Sequence, residues 1–263
     1  MTALPVTIPE SFIAVCPMDE PSREKARYWS ARLGVPLVMQ PRNEKQTPVL
    51  VVANNRLEIH VGQPKQKGVF AEFSLAKAHA IQRQEGKNGL LPRAIGLRKH
   101  PHATVWDVTA GLGQDGFLLA CYGCRVHWVE RSPIVAALLE DALERGLADS
   151  DTRPILQGNV TLDNADAIDW LHAQRLPPEV IFLDPMFAKA NASALSKKEM
   201  QVLRLLVGLD DDAPALLAAA LRCHPQRVVV KRPLKAPPLD GRAPSFNLQG
   251  TTIRYDIYLA EQM

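Results

Sequence analysis

From Thr104 onward, short β-branched runs alternate with helical patterns, and this alternation constrains the fold more than any other feature of the chain. TVWDV reads as a strand, followed by the glycine-rich TAGLGQDG and a helix to about Tyr122. RVHWVE reads as a second strand. Ser132 then caps a helix with Pro133 in its first turn, and Gly146 is expected just past its end. RPILQ is read as the third strand, Asp166 to Gln174 as a short helix, and EVIFLD as a fourth strand ending at Asp184. Helices over 197–207 and 213–223 precede a fifth strand, RVVVK. SFNLQG and TTIRYDIYLA form an antiparallel hairpin. Such alternation predicts an α/β fold, with a mostly parallel sheet covered by helices on both faces. Ligands of these sheets bind at the carboxyl ends of the strands.

Before residue 100 the segments are shorter and irregularly spaced. FIAVC reads as a strand, and Ser22 to Leu33 as a helix with Gly34 past its end. TPVLVVANNRLEIHV reads as a hairpin turning at Asn54-Asn55, GVFAEF as a further strand, and Leu75 to Gln84 as a helix. A Gly- and Lys/Arg-rich connector with one helical turn follows. The expected organisation is a smaller N-terminal α+β part, residues 1–100, ahead of a larger unit, residues 101–263. The overall charge of +3 hides an asymmetry between them. Residues 1–103 carry 15 Lys/Arg against 8 Asp/Glu, and the remainder 16 against 20. A basic part beside an acidic one suits a polyanionic partner, although a solvated basic face would look the same.

Several classes are excluded at this level. With 46% hydrophobic residues the chain is not disordered, and no apolar run approaches the ~20 residues that span a bilayer. MTALPVTIPESF lacks the flank and core of a secretory signal, and four scattered cysteines do not make a disulfide framework. A cytoplasmic, membrane-free setting is expected. Cys121 and Cys124 form a lone C-x-x-C and read as packing residues, and no His/Cys spacing suggests a metal. Walker and G-x-S-x-G sequences are missing.

Two segments carry chemistry. Gly111 to Gly116 matches G-x-G-x-x-G after a strand, and Glu130 ends the next strand, where a carboxylate can accept bonds from ribose hydroxyls. Both NAD and S-adenosylmethionine fit that geometry. Asp107 before the loop favours the latter, whose ammonium needs an anionic neighbour. The second segment is Asp184-Pro185-Met186-Phe187 at the end of the fourth strand. An acid-Pro-X-aromatic tetrad there suits methylation of an exocyclic amine. Asp184 and the Pro185 carbonyl would hold the N–H groups, and Phe187 would stack on a splayed-out base. The Lys231-Arg232 pair ends the fifth strand on the same rim and is read as a contact for nucleic-acid phosphate, with Lys87, Arg93 and Lys197 as further such contacts.

DVTAGLGQDGFLLACYGCRVHWVERSPIVAALLEDALERG, VIFLDPMF, ALSKKEM, RVVVKRP and RYDIY together resemble the bacterial small-subunit ribosomal RNA guanine-N2-methyltransferases of the J type. The resemblance is close from about Gly89 to the end and weaker over the first 60 residues. It implies a Rossmann-like class I methyltransferase sheet, S-adenosylmethionine as cofactor, and a guanosine of 16S rRNA, free or in the small-subunit particle, as substrate. A cofactor site is implied at Asp107, Gly111, Gly113, Gln114, Asp115, Glu130, Arg131 and Asp184, with Gly158, Asn159 and Val160 against adenine. Gln114 stands where the family usually has arginine. Asp184, Pro185 and Phe187 are the implied catalytic residues. Adenine-N6 transfer, an NAD-dependent oxidoreductase and a non-catalytic RNA-binding protein are the alternatives.

Overall fold

The computed structural model describes residues 14–39, 48–61, 68–185, 197–207 and 211–260. Phe12, Ile13, Met186 and Phe187 lie outside them, as do the side chains of Lys87 and Lys197. The N-terminal elements are β1 (Val15–Pro17), α1 (Arg23–Leu33), β2 (Pro48–Ala53), β3 (Arg56–Val61), α2 (Leu75–Glu85) and α3 (Leu90–Ile95). β1 pairs parallel with β2, and β2 antiparallel with β3. The β2–β3 turn uses Asn54 and Asn55 at φ 51° and 58°, left-handed values that asparagine tolerates and that match the twist of a two-residue hairpin. GVFAEF forms only an isolated bridge, Val69 to Ile59, and not the expected strand.

Then come β4 (Thr104–Asp107), α4 (Gln114–Cys121), β5 (Arg125–Glu130), α5 (Pro133–Ala148), α6 (Arg153–Leu156), β6 (Val160–Asn164), α7 (Ala167–Ala173) and β7 (Val180–Leu183). α8 (Lys197–Val207), α9 (Ala213–Arg222), β8 (Arg227–Pro233), β9 (Phe246–Gln249) and β10 (Ile253–Leu259) complete the series. The larger sheet has the order β6-β5-β4-β7-β8-β10-β9. Its pairings are parallel as far as β8 and antiparallel at β10 and β9. β7 is buried throughout, as expected of a strand covered on both faces. Phe182 and Val229 face one core, shared with α4, α5 and the N-terminal elements. Ile181, Leu183, Val228 and Val230 face a second, shared with α7 and α9.

Two boundary readings are corrected. RPILQ is not a strand: Arg153–Leu156 form helix α6, and the strand is Val160–Asn164. Proline suits a helix's first turn and removes a donor from a ladder, and Pro154 occupies such a turn here. β6 is a partly exposed edge strand, so it lacks the apolar run that marked its neighbours. Gly146 does not stop α5 but lies within it. A Cβ there would stand 2.4 Å from Leu156 Cδ1, so this glycine lets α6 pack close.

The N-terminal sheet is fastened to α5 through Asp141, whose side chain is fully buried. Lys25 Nζ lies 2.5 Å and Arg145 Nε 2.8 Å from its carboxylate, and the Leu57 amide donates to it at 3.1 Å.

Candidate active site

Strand order reverses between β4 and β7, so their carboxyl ends part and leave a crevice. Asp107 closes β4, and the chain then turns through Thr109 and Gly111 into α4. Gly111 has φ 54°, and a Cβ built on it would meet nothing nearer than the Thr109 carbonyl at 4.0 Å. The backbone is therefore open to close approach by a ligand. The other two glycines of the fingerprint serve packing. A Cβ on Gly113 would meet Leu139 Cδ1 at 2.5 Å, and one on Gly116 would meet Trp128 Nε1 at 1.9 Å. Gly113 thus has its α-carbon packed against the core, while Gly111 opens onto the cavity.

Glu130 at the end of β5 accepts from the Gly111 amide at 2.9 Å and from the Ser132 amide at 2.8 Å, one to each oxygen. These bonds pin the carboxylate at the rim and lock the glycine loop to β5. The Asp184 amide donates to Thr109 Oγ1 at 2.6 Å, which locks the same loop to the end of β7.

Asp107, Gly111, Gln114, Asp115, Glu130, Arg131, Asp184 and Pro185 line one cavity at this crevice. Arg131 is braced by Asp212 at 3.1 Å. Asp107 is buried, and burial followed by the negative charge of Asp115 pushes its carboxyl well above the usual carboxylate range. On the floor, Lys231 Nζ lies 2.7 Å from Asp115 Oδ2 and 2.9 Å from Asp184 Oδ2. Burial disfavours the ammonium, but Asp115 and Asp184 outweigh it and hold the group well above the ordinary lysine range. Two acids thus meet one lysine with a third near by, an arrangement that favours a further cation.

Lys231 and Arg232 are corrected from their surface role. They are 7% and 5% exposed, and both line the cavity. Successive strand residues point to opposite faces, so β8 sends Lys231 toward Asp184, while Arg232 donates to the Pro237 carbonyl at 2.6 Å. Gly158, Asn159 and Val160 are also corrected. Because the strand is β6, they sit at its amino end, across the sheet from the crevice. The Asn159 carbonyl accepts from the Val126 amide at 2.7 Å, and its side chain caps Ile155. The loop that does reach the cavity is Asp166-Ala167-Ile168, with Asp166 capping α7. That loop, Thr109 and the α8 residues Met200 and Leu203 were not singled out by the sequence reading. A correctly placed third strand would have pointed to the loop. Arg93 is exposed on α3. The Cys121 and Cys124 thiols are pushed up to about 12 by burial, so neither is a ready thiolate.

The donor set fits S-adenosylmethionine. The acids complement its cationic end, the open Gly111 backbone admits close approach, and pinned Glu130 can receive ribose hydroxyls. Ile168 and Val129 supply apolar wall for an adenine ring. No group of three or more metal-ligating side chains occurs among the described residues.

Known proteins resemble this chain along most of its length. The model of the family described as "Putative SAM-dependent methyltransferase" matches residues 32–260. The ribosomal RNA small subunit methyltransferase J of Nitrosococcus oceani is 45% identical over 242 residues, covering 89% of this chain and 93% of its own. Its namesake from Stutzerimonas stutzeri is 42% identical over 251 residues, covering 94% and 95%. The crystal structure of an S-adenosylmethionine-dependent methyltransferase from Neisseria gonorrhoeae superposes with a TM-score of 0.74 at 28% identity, covering 95% of this chain and 97% of that one. On this family match and these full-length relatives, the chain belongs to the ribosomal RNA small subunit methyltransferase J family of S-adenosylmethionine-dependent methyltransferases.

Proposed function

We propose that this chain transfers a methyl group from S-adenosylmethionine to the exocyclic N2 of a guanosine in 16S ribosomal RNA, in the cytoplasm. The observation that carries the reading is the placement of Asp184-Pro185 at the end of β7, beside the pocket formed by Asp107, Gly111 and Glu130. The bound cofactor supplies an activated methyl group on a sulfonium. The chain's own task is to present the amine nitrogen, whose lone pair is delocalised into the guanine ring. Asp184 and the Pro185 carbonyl accept the amine's N–H groups and so favour the tetrahedral nitrogen that attacks. Phe187 stacks on the extruded base. Asp107 and Asp115 hold the cofactor's cationic end, Glu130 its ribose, and the Asp166–Ile168 loop its adenine.

The basic residues of 1–100, with exposed Arg93 among them, hold RNA phosphate together with Lys197, so binding weakens steeply with salt. Residues 101–263 carry the chemistry. No helix among the described residues is long and apolar enough to cross a membrane.

The test uses radiolabelled S-adenosylmethionine and small subunits from a strain lacking this protein. Methyl incorporation and N2-methylguanosine by mass spectrometry are expected with the wild type. Asp184→Ala should lower turnover by about 10³-fold or more with an unchanged circular dichroism spectrum. Near wild-type turnover in that variant would overturn the mechanism, and a label found on adenine would overturn the substrate.

A further inference from the structure

Lys231 lies on the β8 side of the pocket, and its ammonium meets two carboxylates from different elements: Asp115 lies in the first turn of α4 and Asp184 follows β7. Other titratable groups face the trio. Asp107 approaches from β4, Tyr255 from β10, and Glu85 from the end of α2 reaches Tyr255 at longer range. A lysine that served RNA phosphate would be solvated, whereas this one is nearly enclosed. Burying an ammonium is costly unless its partners compensate, so its place is explained by what it does to those partners.

We infer that Lys231 is a positioning residue for methyl transfer: its ammonium holds the Asp184 carboxylate ionised and fixed in orientation, and ties it to Asp115 across the crevice. This rests on the reading of Asp184 as the acceptor for the target amine. An ionised carboxylate only accepts hydrogen bonds, whereas a protonated one presents a donor to the N–H groups it should receive. Burial, then the charges of Asp115 and Asp184, raise the proton affinity of Asp107, so the three carboxyls stand close enough to interact. Lys231 is the cation set among them. A compact ammonium with three donors can bridge two carboxylates that do not share a plane, which a flat guanidinium fork does less well.

The experiment measures single-turnover methyl transfer by the full chain at saturating cofactor, between about pH 5 and 9. The substrate is the unmodified small subunit. Absence of transfer by the wild type would overturn the proposed function itself, a result separable from those that follow. Lys231→Met is expected to slow transfer about 10²-fold near neutrality, to move the acidic limb up by about one to two pH units, and to leave the substrate KM nearly unchanged. Asp115→Asn removes a competing acid and should move the same limb down. Limbs that coincide with the wild type's would overturn the inference. So would a Lys231→Met variant with a normal transfer rate and a raised KM, which would make Lys231 a phosphate contact after all. Should Lys231→Met fail to fold, Asp115→Asn decides alone: a limb moved down supports the inference, and one unmoved or moved up overturns it.

Discussion

At the joint between the N-terminal sheet and α5, one buried carboxylate, Asp141, is met by two cations, Lys25 and Arg145. In the crevice, one cation, Lys231, meets two carboxylates, Asp115 and Asp184, with a third, Asp107, near by. Each centre joins elements distant in sequence, yet the charge balance is opposite. The joint is complete as it stands and serves to hold β3 and α1 against the helix. The crevice is left with acid in excess, which adds to burial in raising the proton affinity of Asp107 and leaves room for the positive charge of a cofactor. The difference separates a structural ion pair from a binding one more clearly than burial does.

That contrast can be broken by substitution. The largest effect on stability is expected at the joint. Asp141→Ala strands two cations that are themselves a fifth to a quarter exposed, and should cost about 2–3 kcal/mol, below the usual range for a wholly buried pair. Urea unfolding measures it, and a loss under about 0.5 kcal/mol would show that the joint is dispensable. Gly116→Ala comes next. Its new methyl collides with the Trp128 indole, so a loss of about 1–3 kcal/mol is expected, visible as a lower urea midpoint.

The smallest effect carries the opposite sign. The raised Asp107 carboxyl binds a proton more tightly in the folded chain than in the unfolded one. The folded state therefore loses stability as pH rises from about 4, the unfolded value, through the folded one. Asp107→Asn removes that loss, so the variant should be more stable than the wild type at neutral pH, by an amount that shrinks toward pH 4. S-adenosylhomocysteine binding, followed by calorimetry, should weaken at the same time. A variant less stable than the wild type at pH 7 would show that the acid excess is not a burden on the fold.

Much of this architecture was legible in the residues, because the signals are local. Ser132 and Pro133 start α5, Asp166 caps α7, paired asparagines turn the first hairpin, and apolar runs mark β7 and β8. The glycine loop, Glu130 and Asp184 were placed by the same reasoning, since a strand that ends in an acid before a turn puts that acid on the carboxyl rim. The failures share a cause. β6 was missed because an edge strand has no continuous apolar run, and misplacing it by a few residues set the expected adenine contact at the amino end of the sheet, away from the cavity that Asp166–Ile168 line. Gly113 and Gly116 were indistinguishable from Gly111 until their neighbours were known.

The sequence by itself determined the order of the elements, the family, and the acids that end β4, β5 and β7. Each is encoded within a few residues of where it acts, by strand period, capping chemistry and turn geometry. Only the tertiary structure decided that Lys231 is enclosed between Asp115 and Asp184, that Asp141 fastens the N-terminal sheet to α5, and which glycine opens onto the cavity. Lys231 and Asp115 are 116 residues apart, and Leu57 and Asp141 are 84 apart. No local pattern records such distances. A basic pair at a strand end looks the same in sequence whether it meets water or carboxylate, and its partner is chosen by the strand order that brings β8 beside β7.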